Sequence, residues 1–227
     1  MPKICQAFPA FNEHWHTIWM LKPIERVNAL FLRHRLSWVR AGPEPILQEA
    51  RMSHPSFSDT AIVACGTMSP ELNHLKKEGF LDTPHLIYTT PGLHQNITEL
   101  ERQLTRSILK AKEKTDQVIV VYGGKYCYVN ADEPTRLMGT LVQEQGSGIA
   151  RVSATHCMGM LASDDELKQI EQDLAGGEPV WFMTPGWVKY RTEVFKGWDK
   201  GIANENFPRH TGGAVVLDGI GFMDTYM

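Results

Sequence analysis

Ala61-Ile62-Val63-Ala64-Cys65-Gly66 and Val118-Ile119-Val120-Val121-Tyr122-Gly123 decide the fold. Each is an uninterrupted apolar run that stops at a glycine. Such runs suit strands buried on both faces, as in a parallel sheet covered by helices. Outward from these two, the same texture recurs in His85-Leu86-Ile87-Tyr88, Arg151-Val152-Ser153-Ala154 and Val180-Trp181-Phe182-Met183. Between the runs, Pro70 to Lys77, Ile97 to Lys114, Pro134 to Gln145 and Asp164 to Ala175 read as helices. The last opens with the capping box Ser163-Asp164-Asp165-Glu166 and closes at Gly176-Gly177. This alternation signals βαβ units. It predicts an α/β domain over residues 59–227, with a mostly parallel, Rossmann-like sheet carrying helices on both faces. The stretch Thr211 to Gly219 predicts one more short strand.

Residues 1–58 differ in composition. Trp15, Trp19, Trp38, His14, His16, His34 and His54 crowd into them, and Ile24, Val27, Leu30, Phe31 and Trp38 recur at roughly helical spacing. Pro43, Pro45 and Pro55 then break the pattern. An amphipathic packing arm explains this segment better than a haem or metal site.

A net charge of -3 lacks the broad basic footprint that nucleic acid or an anionic membrane favours. There is no apolar run of membrane-spanning length, about eighteen residues, and no apolar signal core at the N-terminus. The expected location is the cytoplasm. Four cysteines in 227 residues do not make a secreted disulfide framework. No phosphate-binding G-x-x-x-x-G-K-[ST] or G-x-G-x-x-G follows any of the runs.

Three cysteines occupy equivalent places: Cys65 after the first strand, Cys127 after Tyr122, Cys157 after Ala154. Open α/β sheets bind ligands beyond the carboxyl ends of their strands, so thiols distant in sequence can meet there. A single free cysteine reads most simply as a small buried hydrophobe. Three on one edge, beside Gly66, Gly123, Gly124 and Gly159, read as a shared site, because glycines let the backbone approach a bound group. Thiolates select zinc, copper(I) or iron–sulfur over hard cations. Structural zinc favours paired, short-spaced cysteines, and the sequence has none. Three scattered ligands suit a [4Fe–4S] cluster with one iron open to a pocket, with zinc as the alternative. His94, on Thr89-Thr90-Pro91-Gly92-Leu93-His94, and His156 are the candidate acid–base groups. Asn96 reads as a helix cap. Gly66, Tyr122, Gly123 and Trp187 are the candidate cofactor-lining residues. Cys157 beside His156 is a poor nucleophile–base pair, since sequence neighbours rarely have the required geometry.

Ala64-Cys65-Gly66 with Pro70-Glu71-Leu72, Gly92-Leu93-His94, Val121-Tyr122-Gly123 with Cys127, His156-Cys157 and Thr184-Pro185-Gly186-Trp187 together resemble the family catalogued as domain of unknown function 1638. The resemblance covers about residues 61–187. It supplies no reaction. It implies a context, since relatives are often encoded beside corrinoid-dependent methyltransferases and the iron–sulfur proteins that reactivate corrinoids. The expectation is therefore a metal-binding enzyme or accessory protein of one-carbon metabolism, acting on a small molecule or a corrinoid protein. The alternative is a zinc protein docking on a corrinoid partner through the aromatic arm. A second copy of the chain is a further candidate partner.

Overall fold

The structure, a computed structural model, describes residues 56–125, 127–130, 132–197 and 212–226. Residues 1–55 of the predicted N-terminal arm lie outside them. Four strands, β1 (Thr60–Ala64), β2 (His85–Tyr88), β3 (Gln117–Val121) and β4 (Ile149–Arg151), form a wholly parallel sheet in the order β2-β1-β3-β4. Helices α1 (Ser69–Lys77), α2 (Ile97–Lys112) and α3 (Met138–Gln143) make the successive crossovers. The strand order reverses between β1 and β3, since β2 lies on one side of β1 and β3 and β4 on the other.

The apolar runs divide between two cores by alternation, the period of a strand. Ala61, Val63, Val118 and Val120 pack with Leu100, Leu104 and Ile108 of α2 and Met138 and Leu141 of α3. Ile62, Ala64 and Val121 pack with Leu72 and Leu75 of α1 and with Phe57, Phe80 and Leu81. Helices thus cover both faces, as expected. Burying a Leu or Ile contributes about 1.5–3 kcal/mol, so the α2 stripe alone supplies a large share of the anchoring of that layer. Asn96 caps α2 by accepting from the Glu99 amide at 3.0 Å. Helix α4 (Asp164–Ala175) has the predicted capping box and ends at Gly176 with φ 63°. No described helix is long and apolar enough to cross a membrane.

The larger departures from the sequence expectation have local causes. Residues 134–137 are not helical: Leu137 is extended, and Arg136 turns out to pair with Glu101 at 3.2 Å and Glu144 at 2.6 Å. The fourth strand is Ile149–Arg151 rather than Arg151 to Ala154, because its register with β3 ends at Arg151 opposite Val120. Strand β5 (Trp181–Met183) does not extend the sheet. It pairs in parallel with β6 (Ala214–Val216), the predicted extra strand, as a separate two-stranded unit. The physical reason is local burial: Val180 and Val215 form their own small core with Leu174 of α4. The short helices α5 (Pro185–Lys189), α6 (Arg191–Val194) and α7 (Phe222–Tyr226) complete the described chain.

Candidate metal centre

The amide of Cys65 donates to Val121 O at 3.2 Å, carrying the β1–β3 pairing one residue past the end of β1. Cys65 therefore sits where the strand order reverses, the position at which open α/β sheets bind ligands. Cys127 lies in the loop after β3, and Cys157 directly precedes the 3-10 turn Met158–Met160 after β4. Cys65 and Cys127 pack at the margin of the α2 core, whereas Cys157 belongs to the α1 core. The three thiols thus pack against both cores, on loops that follow the strand ends.

Their surroundings shift their protonation. Cys127 and Cys157 influence each other, which raises the Cys127 thiol well above its usual range and lowers that of Cys157. Burial acts against the Cys157 thiolate, but the Trp187 indole and the amides of Cys157 and Met158 favour it. Burial, with the charge of Cys157 adding, pushes the Cys65 thiol up to about 11. The Thr67 hydroxyl lies 3.0 Å from Cys65 Sγ. All three cysteines are free of disulfide bonds.

Among the described residues, no three His, Cys, Asp or Glu side chains are gathered to hold one metal ion. A single zinc requires every sulfur at about 2.3 Å from one point. The cysteines of an iron–sulfur cluster bind separate irons and need no such common point. As soft donors, the thiols are of the kind that a cluster would take.

The other predicted residues fall around the thiols. Trp187 Nε1–H donates to Cys157 Sγ at 3.3 Å, and the Trp187 ring stacks on His94 with centroids 5.7 Å apart. His94 therefore reaches the site through Trp187, and burial lowers its basicity. Tyr122 is buried, and its hydroxyl bonds that of Thr89. The charges of Cys65 and Cys127 add to burial in keeping the phenol protonated. His156 accepts the Gly159 amide on Nδ1 at 2.9 Å, so that nitrogen serves the turn following Cys157. The glycines serve close backbone packing. A Cβ on Gly123 would lie 2.5 Å from Cys127 Sγ and 2.7 Å from His156 Cα, and one on Gly66 would lie 2.4 Å from Thr89 O.

Three groups escaped the sequence reading. A Cβ on Gly186 would lie 1.5 Å from Thr67 O, so Gly186 locks the start of α5 against the loop after Cys65. Arg151 bonds the loops after β3 and β4. Glu71 of α1 is 1% exposed, and neither of its carboxyl oxygens has a hydrogen-bond partner. Burial pushes this carboxyl up to about 8. The amides of Glu71 and Gly186 are near enough to favour the charge without closing into hydrogen bonds, and the charges of Cys157 and Asp218 oppose it. A glutamate in the first turn of a helix ordinarily reads as a solvated partner of the helix dipole. Only its α5 neighbour reveals the burial.

Comparison with known families finds a match over residues 88–227 to a family described as a protein of unknown function, DUF1638. The chain belongs to that family. The DUF1638 match includes Cys127, Cys157 and the C-terminal segment, for which the sequence resemblance assured no counterpart, and it begins after Cys65. No curated protein and no solved structure matches the chain.

Proposed function

We propose that this protein holds an iron–sulfur cluster on Cys65, Cys127 and Cys157 and works as an enzyme or accessory protein that uses it. The observation that supports this reading is that Cys65, Cys127 and Cys157 follow β1, β3 and β4, on loops at the same end of a parallel sheet whose strand order reverses between β1 and β3. A cluster bound by three cysteines supplies a Lewis-acidic iron or a one-electron couple. The chain's own groups have definable tasks. The Trp187 indole donates to Cys157 and the Thr67 hydroxyl lies against Cys65, so the sulfurs are oriented before anything binds. His94, stacked on Trp187 and kept neutral by burial, is placed to accept a proton from a small molecule at the site. The link to corrinoid-dependent methyl transfer in one-carbon metabolism, with a corrinoid protein as partner, is supported by the resemblance in sequence alone.

The test is iron, sulfide and zinc analysis with an absorption spectrum on protein purified without oxygen, the wild type beside Cys65→Ala, Cys127→Ala and Cys157→Ala. Iron and sulfide with a broad visible band, lost in each variant, is the expected result. Stoichiometric zinc would replace the cluster by the alternative zinc site, and a metal content unaffected by all three substitutions would remove the thiol site.

A further inference from the structure

The β3–β4 ladder is short. Its last ladder bond runs from the Val152 amide to Val120 O at 3.1 Å, and beyond it one further backbone bond, Gly124 to Ala154, ties the two chains as they lead toward Cys127 and Cys157. Carbonyls where a ladder ends are short of regular partners and take others. Arg151 supplies them: its Nη1 donates to Tyr122 O at 2.9 Å and to Ala154 O at 3.0 Å. Tyr122 opens the loop that leads to Cys127, and Ala154 lies on the loop that leads to Cys157. Ala154 O also accepts the Gly124 amide at 2.8 Å, and a Cβ on Gly124 would lie 3.3 Å from Arg151 Nη2. One half-buried guanidinium is thus packed beneath both loops, and its charge interacts with Cys127.

We infer that Arg151 is a positioning residue of the thiol site, fixing the spacing of Cys127 and Cys157 and offsetting the negative charge of the thiolates once they bind metal. The inference rests on the reading of the cysteines as ligands. Buried anions are costly unless a cation or hydrogen bonds compensate them. Arginine is suited to both tasks, because its planar fork holds several acceptors at once and stays charged at any working pH. A lysine keeps the charge without the fork.

Wild type, Arg151→Lys and Arg151→Met are compared in three measurements on the full chain. The first is binding of phenylarsine oxide to metal-free reduced protein, which requires two neighbouring thiols. The second is iron retention against a chelator after anaerobic reconstitution with ferrous iron and sulfide. The third is the reduction potential of the reconstituted centre. Arg151→Met is expected to bind the arsenical more weakly and to lose about 10–100-fold in metal affinity, the usual cost of removing a group that orients a ligand. Its potential should move to more negative values, because an added electron loses a nearby cation. Arg151→Lys should restore the potential but not the affinity. Unchanged arsenical binding in both variants, or an unchanged potential in the centres that Arg151→Met does form, would overturn the inference. A wild type that takes up no iron and sulfide would overturn the cluster reading instead, and the arsenical result would still decide whether Arg151 spaces the thiols. If Arg151→Met does not fold, Arg151→Gln takes its place.

Discussion

Replacing Glu71 by glutamine should make the protein more stable above neutral pH, and the size of the gain follows from its surroundings. The carboxyl is 1% exposed, lacks hydrogen-bond partners and is pushed from an ordinary 4.5 to about 8 by burial. A folded-state value above the unfolded one means that the native protein binds the proton more tightly. This group therefore leaves stability intact below about pH 4.5 and erodes it as pH rises toward 8. At about 1.36 kcal/mol per pH unit, the loss above pH 8 reaches roughly 5 kcal/mol. Relaxation around the buried charge makes that an upper figure. Glutamine has nearly the same shape and does not ionise. Urea unfolding of reduced wild type and Glu71→Gln, followed by circular dichroism from pH 5 to pH 9, should give nearly equal stabilities at the acid end and a widening advantage for the variant above it. Because the comparison is made at each pH, the other titrating groups largely cancel. Parallel pH profiles for the two proteins would refute the reasoning, since they would mean that Glu71 is either solvated or compensated.

Two substitutions to alanine should behave oppositely: Gly186→Ala places a methyl 1.5 Å from the backbone oxygen of Thr67 and should cost more than about 3 kcal/mol or prevent folding, whereas Gly139→Ala in α3 meets nothing within 4 Å and should gain up to about 1 kcal/mol, both read by urea unfolding. Trp187→Phe removes the indole donor from Cys157 Sγ, so the thiolate that this bond favours should form at higher pH, as followed by thiolate ultraviolet absorption; an unshifted titration would show that Cys127 and the Cys157 and Met158 amides suffice.

The sequence alone determined the layered α/β fold, because apolarity along a strand and periodicity along a helix are local signals. Ala61 to Ala64 and Val118 to Val121 must be buried on both faces wherever they lie, and Ser163 with Glu166 starts a helix through its own backbone. Equivalent placement after the strands is also what points to Cys65, Cys127 and Cys157 as a set. Tertiary structure decided what depended on non-neighbours. Strand β5 left the main sheet because Val180 found Leu174 and Val215, and the helix expected from Pro134 began later, where Leu137 is extended and Arg136 pairs with Glu101 and Glu144. Glu71 and Arg151 look like ordinary surface charges in the chain. Glu71 became a buried, unpartnered acid, and Arg151 a brace between two loops, only when distant segments closed over them. Local propensity is written residue by residue, whereas burial and charge compensation belong to the assembled fold and have no pattern along the chain to reveal them.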